Sequence, residues 1–327
     1  MCRSARSVPL GRIVVLALGT AALLGGCAVT GPDAEVTPTA ESVYPQLRTY
    51  PDVPVLENVR YGTADEVPLL LDVCLPEEAS EIDDDTPPRP AIVSVHGGSW
   101  ARGDKANLNW RSVCQWLASE GFVAASVNYR LAPTYTFPAQ IDDVRQAIGW
   151  LREPDQVDRY AIDPDRIALF GGSAGGNLAA LLGTEGTGDW TEGTRVAAVA
   201  ELSGPVDLTA AGQRTPDFEP VQLSYLGCPE LAECEVAHDA SPYYAIDPSD
   251  PPFFVGHSVD ERIPVAQSEQ FVKELRRHGV DTTFVTVEGT MHSIAMLDDP
   301  MRERIIAFYR EKLADPVDAV VAEPLVE

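Results

Sequence analysis

Basic side chains are scarce in this 327-residue sequence, where 24 Lys and Arg residues face 50 Asp and Glu residues and the formal net charge is -26. So acidic a surface repels phosphate backbones, which argues against nucleic acid as a partner. Disorder is excluded as well, because 45% of the residues are hydrophobic and 23% are charged, the balance of an ordinary globular protein. No internal repeat is present, so one large domain is the simplest organisation.

Cysteine is also scarce, with six in the chain. No Cys or His spacing matches a zinc site, so we predict no metal. Cys228 and Cys234 lie in a short polar loop, and we predict a local disulfide between them. Cys74 and Cys114 lie in apolar patterns, one on a strand and one on a helix, so a bridge and two buried free thiols both stay open.

The N-terminal segment differs in character from the rest of the chain. Residues 1–26 begin with three arginines, continue with an apolar stretch from Ile13 to Leu24 and end in small residues before Cys27. The apolar stretch is shorter than the ~20 residues of a transmembrane helix. The segment resembles a bacterial lipoprotein signal peptide. The resemblance implies lipid attachment at Cys27, and hence a protein anchored outside the cytoplasm to a bacterial membrane; a secreted protein with a simple signal peptide is the alternative.

Four further segments follow from composition and pattern. Residues 27–51 are rich in Thr, Pro, Ala and Glu without a hydrophobic period, which predicts a flexible tether. Residues 52–315 carry the pattern of a folded catalytic domain. Residues 209–250 interrupt that pattern with a long, polar, proline-containing stretch, which predicts a small cap-like insertion over the site. Residues 316–327 are left as a C-terminal tail.

From about Val55, short apolar runs alternate with amphipathic helical patterns, which is typical of a mostly parallel sheet with helices on both faces. We predict strands near residues 57–61, 68–75, 91–95, 123–129, 166–171, 196–202, 252–256 and 283–288. We predict helices near residues 107–120, 139–152, 175–182, 264–278 and 299–313. Eight strands in this order describe an α/β-hydrolase fold with a small cap segment.

One serine lies on a predicted strand-to-helix turn. The apolar run 166–170 leads into Gly171-Gly172-Ser173-Ala174-Gly175, and a helical pattern follows. A turn sharp enough to lift Ser173 Oγ clear of the sheet leaves no room for flanking side chains, so both outer positions are glycine. We predict that Ser173 is a nucleophile, which then needs a base, an acid and an oxyanion hole.

A second glycine-rich turn follows the third predicted strand, at His96-Gly97-Gly98-Ser99-Trp100. Its small residues allow the N–H groups of Gly97 and Gly98 to point at an oxygen beside the nucleophile. With the N–H of Ala174 they would form an oxyanion hole.

The two residues after these glycines are candidates for the substrate pocket. We predict that Ser99 and Trp100 line it. For Trp100, packing beneath the loop is the alternative, since a large aromatic ring is also a common core residue.

The base follows by elimination among five histidines. Four are set aside: His96 in the glycine loop, His238 and His257 before the predicted acid, and His278 at a helix end. His292 lies in a loop after the last predicted strand, where it can reach Ser173. The acid is expected after the preceding strand, where we predict Asp260, with the adjacent Glu261 as its only close rival.

With these residues in place, the chain resembles the bacterial carboxylesterases of the α/β-hydrolase superfamily, in particular the group that includes feruloyl esterases and kynurenine-formamidase-like enzymes. The likeness spans about residues 61–313. It rests on the residues 96–100 with Gly103-Asp104-Lys105, on Asn128 to Pro133, on Gly172 to Leu178, on Ala240-Ser241-Pro242 and on Asp260 to Pro264. Two departures concern loop shape: the family usually has His-Gly where this chain has Gly256-His257-Ser258, and often has Gly where it has Ser293.

The resemblance and the site residues together predict acyl transfer through a serine-histidine-aspartate triad, without a cofactor. The expected substrate is a small-molecule or polymer-borne ester with a short or medium acyl chain. A polysaccharide acetyl or feruloyl esterase and an arylformamidase-like amidase are alternatives with the same triad. A non-catalytic surface lipoprotein is the alternative of another class. The oligomeric state does not follow from these motifs.

Overall fold

The computed structural model describes residues 48–77, 82–83 and 86–315. The predicted signal peptide of residues 1–26, the lipid attachment at Cys27 and the tail of residues 316–327 lie outside these residues and stay predictions. Within the described residues, every helix is too short or too polar to cross a membrane.

A single sheet of eight strands forms the centre of the described domain. The strands are β1 Val55–Ala64, β2 Val67–Cys74, β3 Arg89–Val95, β4 Val123–Val127, β5 Ile162–Gly172, β6 Ala198–Leu202, β7 Phe253–Ser258 and β8 Thr282–Val287. Their spatial order is β1-β2-β4-β3-β5-β6-β7-β8. Strand β2 pairs antiparallel with both β1 and β4, and all other neighbours are parallel. This is the α/β-hydrolase fold, and the prediction of eight strands is confirmed.

Helices cover both faces of the sheet. They are α1 Leu108–Ser119, α2 Ala139–Leu151, α3 Pro154–Tyr160, α4 Ala174–Thr184, α5 Glu219–Leu226, α6 Val236–Asp239, α7 Val265–Arg277 and α8 Asp299–Lys312. The buried apolar residues form two clusters, because alternate side chains of each strand point to opposite faces. One cluster contains the apolar faces of α1 and α8, and the other contains those of α2, α4 and α7.

The parallel strands bring the site together. Strands β5, β7 and β8 run in the same direction, so the segments that follow them lie at one edge of the sheet. These segments carry Ser173, the Asp260-Glu261 pair and His292. Because the three segments lie at the same edge, these residues are neighbours. Ligands of open α/β sheets bind at this edge, outside the carboxyl ends of the strands.

Two disulfides join described residues. Cys228 and Cys234 are bridged, which confirms the predicted local disulfide. Cys74 and Cys114, for which the sequence left two alternatives open, are also bridged and tie the end of β2 to α1. A sequence separation of 40 residues gives no local signal for such a pairing, because only the tertiary fold brings the two thiols together.

The first described residues belong to the predicted tether but already contact the domain. Gln115 Nε2 of α1 donates hydrogen bonds to the carbonyls of Tyr50, at 2.9 Å, and Val53, at 3.2 Å. Ser112 Oγ donates to the carbonyl of Arg48. The last four residues of the predicted tether, 48–51, therefore belong to the described domain.

The segment 209–250 contains α5, α6 and two short 3-10 turns. Its main contact with the glycine loop is Tyr225, whose ring stacks on Trp100 with ring centroids 4.1 Å apart. All of its residues are described, and none of them lines the cleft at Ser173. A role as a lid stays a prediction.

Candidate active site

Ser173 lies between β5 and α4 in a strained backbone conformation, with φ of 57° and ψ of -124°. Positive φ is uncommon for a residue with a side chain, and it costs on the order of 1–3 kcal/mol when the surroundings hold it. Here the surroundings are tight. A Cβ at Gly175 would lie 2.1 Å from the carbonyl oxygen of Val95, and one at Gly171 would lie 2.1 Å from the carbonyl oxygen of Gly175. Both outer glycines are therefore required by close backbone approach.

His292 reaches Ser173 from the loop after β8. Its Nε2 lies 2.8 Å from Ser173 Oγ, so the serine hydroxyl can donate a hydrogen bond to the neutral imidazole. The His292 side chain is about one quarter exposed, at 26%. The structure thus brings together the serine and the histidine that the sequence singled out.

The acid of this constellation is Glu261, and the prediction of Asp260 is corrected. His292 Nδ1 hydrogen-bonds Glu261 Oε2, and the Glu261 side chain is completely buried. Asp260 is exposed, and its backbone N–H donates to the carbonyl of Gly289 at 3.0 Å. This hydrogen bond and the one from the N–H of Val259 to the carbonyl of Val287, also 3.0 Å, hold the loop against the end of β8 and the segment after it. In this loop Asp260 faces solvent and the Glu261 side chain faces inward.

A second histidine binds the same carboxylate. His257 on β7 is fully buried, and its Nε2 lies 2.8 Å from Glu261 Oε1 and 2.9 Å from the carbonyl of Ile263. Its Nδ1 lies 2.7 Å from Ser268 Oγ on α7. Glu261 therefore contacts one imidazole with each carboxylate oxygen.

These contacts decide the charge of both groups. Burial alone would raise the pKa of Glu261, but hydrogen bonds from His257 and His292, with their charges, hold it at about 2. Burial alone would lower the pKa of His257, but the hydrogen bond and charge of Glu261 outweigh burial and raise it. Glu261 is thus charged beneath His292, and its contact with His257 favours the protonated form of that imidazole.

A third buried ionisable group lies on β6. Glu201 is fully buried, and its Oε2 accepts a hydrogen bond from the N–H of Gly204 at 2.7 Å. A Cβ at Gly176 would lie 3.1 Å from the same oxygen, so Glu201 packs against the first turn of α4. Burial raises the pKa of Glu201 to about 7, although the charge of His257 and the Gly204 hydrogen bond oppose the shift.

The predicted oxyanion-hole donors lie beside Ser173. A Cβ at Gly97 would come within 3.2 Å of Ser173 Cβ, so only glycine allows this approach of the loop. Ala174 is the first residue of α4, where backbone N–H groups have no intrahelical acceptor. None of the N–H groups of Gly97, Gly98 and Ala174 has a hydrogen-bond acceptor among the described residues.

His96 supports this loop from below. Its Nδ1 lies 2.9 Å from the carbonyl oxygen of Gly97, and its ring stacks on Tyr129 with centroids 4.3 Å apart. Tyr129 donates its hydroxyl to the His96 carbonyl at 2.8 Å. Burial lowers the pKa of His96 to about 4, so this imidazole is neutral at neutral pH and holds the loop as a hydrogen-bond donor.

Ser293 occupies a position where the resembling family often has glycine. Its φ is 60°, a conformation that favours glycine, which gives the physical reason for that preference. In this chain the backbone N–H of Ser293 donates to Ser203 Oγ at 3.0 Å. This hydrogen bond anchors the residue directly after His292.

A cleft of about 350 Å³ opens at Ser173. Its lining consists of residues Gly97, Gly98, Ser99, Arg102, Gly103, Asn107, Asn109, Trp110, Ser173, Arg262, His292, Ser293 and Ile294. Ser99 lines it as predicted, whereas Trp100 is fully buried against Tyr225 and does not. Trp100 instead packs beneath the loop, which is the alternative prediction for this residue. Among the described residues, no group of three His, Cys, Asp or Glu side chains is arranged to hold a metal.

The fold and this serine-histidine-glutamate arrangement define an α/β-hydrolase of the serine-nucleophile type. The chain belongs to the BD-FAE family, whose family model matches residues 71–275.

Comparisons with individual proteins agree. Esterase LipC of Mycobacterium tuberculosis is 35% identical over 229 residues, which cover 65% of this chain and 55% of LipC. The chain thus spans about half the length of the curated relatives it matches.

Solved structures cover more of the fold. A truncated carbohydrate esterase from gut microbiota superposes with a TM-score of 0.67 at 25% identity, over 80% of this chain and 97% of that chain. A propionate-bound esterase from Thermogutta terrifontis superposes with a TM-score of 0.62 at 26% identity, over 80% and 93%.

Proposed function

We propose that this chain is a serine carboxylesterase that hydrolyses short- to medium-chain acyl esters through an acyl-enzyme intermediate. One observation carries the proposal: Ser173 Oγ, the His292 imidazole and the buried Glu261 carboxylate form a continuous hydrogen-bonded chain at the carboxyl ends of three strands. The esterases among its relatives and structural neighbours support it.

The mechanism follows from the roles of these atoms. Ser173 Oγ attacks the ester carbonyl carbon while His292 Nε2 takes its proton, and the imidazolium then donates that proton to the departing alcohol. Water, activated by the same nitrogen, attacks the acyl-enzyme and releases the acid. Glu261 stabilises the imidazolium that forms in each half-reaction, and it stays ionised because its pKa is about 2.

The negative oxygen of the tetrahedral intermediate needs donors that are already in place. The free N–H groups of Gly97, Gly98 and Ala174 lie at the elbow where that oxygen would form. Loss of one such donor costs about 2.7–4 kcal/mol of transition-state stabilisation in other serine hydrolases. The supporting hydrogen bond from His96 to the Gly97 carbonyl therefore serves catalysis indirectly.

The short acyl preference has two supports. The cleft of about 350 Å³ is near the lower end of the ~300–1,000 Å³ of typical ligand pockets. A structural neighbour has been solved with propionate bound.

A polymer-borne acetyl or related ester is a second candidate substrate. The carbohydrate esterase among the structural neighbours favours it. Anchoring by a lipid at Cys27, as the N-terminal sequence suggests, would place the site where extracellular polymers are accessible.

The test uses the full chain, purified in mild detergent, and p-nitrophenyl esters from acetyl to palmitoyl. We expect kcat/KM to fall as the acyl chain lengthens, and Ser173→Ala to reduce kcat on the order of 10⁶-fold. A fluorophosphonate probe should label wild type and not the variant. A folded wild-type protein that cleaves no ester and stays unlabelled would support the non-catalytic alternative instead.

A further inference from the structure

The cleft at Ser173 has a charge opposite to that of the whole chain. Two arginines, Arg102 and Arg262, line it, and no Asp or Glu is among its lining residues in the described part of the chain. The chain as a whole has 50 acidic and 24 basic residues. The cleft is therefore lined by positive charge, although the chain as a whole is strongly acidic.

Neither arginine forms a hydrogen bond or an ion pair through its guanidinium group within the described part of the chain. Three arginines, Arg102, Arg262 and Arg304, make no hydrogen bond, ion pair or ring contact through their guanidinium groups with another described residue. Every other described arginine makes at least one such interaction. The charge of Arg262 reaches Asp217, but the low pKa of Asp217 is due mainly to a hydrogen bond with Thr215. Two of the three arginines without such a contact in the described ranges thus lie in the active-site cleft.

The backbone holds these two arginines next to catalytic groups. The N–H of Arg102 donates to the carbonyl of Gly98 at 3.1 Å, which ties it to the oxyanion loop. Arg262 directly follows Glu261, and its carbonyl accepts a hydrogen bond from Thr215 Oγ at 3.2 Å. The loop that turns Glu261 inward also turns Arg262 toward the cleft.

A guanidinium presents a planar fork of donors that matches a carboxylate. We propose that the ester substrate of this protein carries a carboxylate group, which Arg102 and Arg262 bind. The proposal rests on the esterase function proposed above and specifies its substrate class. The carboxylate can belong to the acyl part or to the alcohol part of the ester, and the experiment separates the two.

Two matched pairs of esters test the proposal with the full chain. For the acyl part, the p-nitrophenyl monoester of adipic acid is compared with p-nitrophenyl hexanoate. For the alcohol part, 4-acetoxybenzoate is compared with 4-acetoxybenzamide. We expect wild type to prefer the charged member of at least one pair by about tenfold in kcat/KM, as for one charged hydrogen bond. The preference should weaken as salt is raised, because both arginines are accessible to solvent.

Three variants sharpen the result. Arg102→Gln and Arg262→Gln should each reduce the charged-to-neutral ratio of kcat/KM severalfold. Arg304→Gln, which removes an unpartnered arginine on α8 away from the cleft, is the matched control and should leave that ratio unchanged. A measurement on wild type alone serves if a variant misfolds: adipate should inhibit hydrolysis of the neutral ester more strongly than adipamide.

The two proposals fail in different ways. If neutral esters are cleaved with dependence on Ser173 and no charged member is preferred, the carboxylate proposal is overturned and the esterase function stands. Equal inhibition by adipate and adipamide, together with no preference for 4-acetoxybenzoate over 4-acetoxybenzamide, overturns it too. If no ester of either pair is cleaved, both proposals fall.

Discussion

Two buried glutamates on neighbouring strand ends behave in opposite ways. The side chains of Glu201 and Glu261 are both fully buried, and both carboxylates interact electrostatically with His257. Yet the pKa of Glu201 is raised to about 7, whereas that of Glu261 is lowered to about 2. Burial is common to both, so it does not explain the difference.

The difference lies in the imidazole groups that face each carboxylate. Each oxygen of Glu261 contacts an imidazole nitrogen, of His292 or of His257. Glu201 Oε2 accepts a hydrogen bond from the backbone N–H of Gly204, and neither Glu201 oxygen forms an ion pair with an imidazole among the described residues. A buried carboxylate stays charged only when charged or strong donors replace the water it has lost. Accordingly, Glu261 can orient and stabilise the catalytic imidazole, and Glu201 takes up a proton near neutral pH.

The largest expected effect is the loss of the charged member of this pair. Glu261→Gln should lower kcat/KM about 10⁴-fold, as in other triads that lose the acid, because His292 is then neither held in the right tautomer nor stabilised as imidazolium. Ester kinetics measure this, with circular dichroism as the check on folding. Asp260→Asn is the matched control and should change kcat/KM less than threefold; the opposite order of the two variants would restore Asp260 as the acid.

The next effect concerns stability. A glutamate whose pKa rises from its ordinary 4.5 to about 7 on folding stabilises the native state below pH 4.5, and this contribution is lost as pH rises through 7. Between pH 4.5 and pH 9, the free energy of unfolding of wild type should therefore fall by on the order of 3 kcal/mol relative to that of Glu201→Gln. Urea unfolding at both pH values measures the difference. Glu303→Gln, at an exposed glutamate, is the control, and its free energy of unfolding should change between the two pH values as that of wild type does. If the free energy of unfolding of Glu201→Gln also changes by the same amount as that of wild type, Glu201 does not titrate in this range.

A smaller effect is expected at His257, which interacts electrostatically with both glutamates. His257→Gln removes the imidazole that contacts Glu261 Oε1, and the looser carboxylate should lower kcat about 10- to 100-fold with little change in KM. The activity that remains should fall off at a higher pH than in wild type as the solution is acidified, because the pKa of Glu261 rises when this donor is lost. His278→Gln, at the end of α7, should leave kcat and its pH profile as in wild type. A loss confined to KM would count against a positioning role.

Much of this arrangement follows from sequence. The eight strands, the elbow at Ser173 and the histidine after the last strand are set by local patterns: apolar runs, glycines at a sharp turn, and chain order. The choice between Asp260 and Glu261 is not, because adjacent residues of a loop face different sides and tertiary contacts, among them the backbone hydrogen bond from Asp260 to Gly289, set which one faces inward.

One signal in the sequence does point to the acid. His257 lies in the apolar strand Phe253–Ser258, where it would be buried, and a buried imidazole needs a polar partner. Glu261 lies four residues later. For Trp100 the sequence points to the pocket, because its neighbours in the chain lie at the site. The Tyr225 ring, from a helix distant in sequence, packs on Trp100 and buries it, and no local pattern predicts that contact.

The most direct test of this account follows the two carboxylates in the wild-type protein. Carbon-13 NMR of glutamate labelled at the side-chain carboxyl carbon, with the signals of Glu201 and Glu261 assigned from their Gln variants, reports each charge as pH changes from 4 to 9. We expect a midpoint near 7 for Glu201 and no titration of Glu261 in this range. A Glu261 signal that titrates between pH 4 and 9 would contradict the claim that a permanently charged Glu261 supports His292.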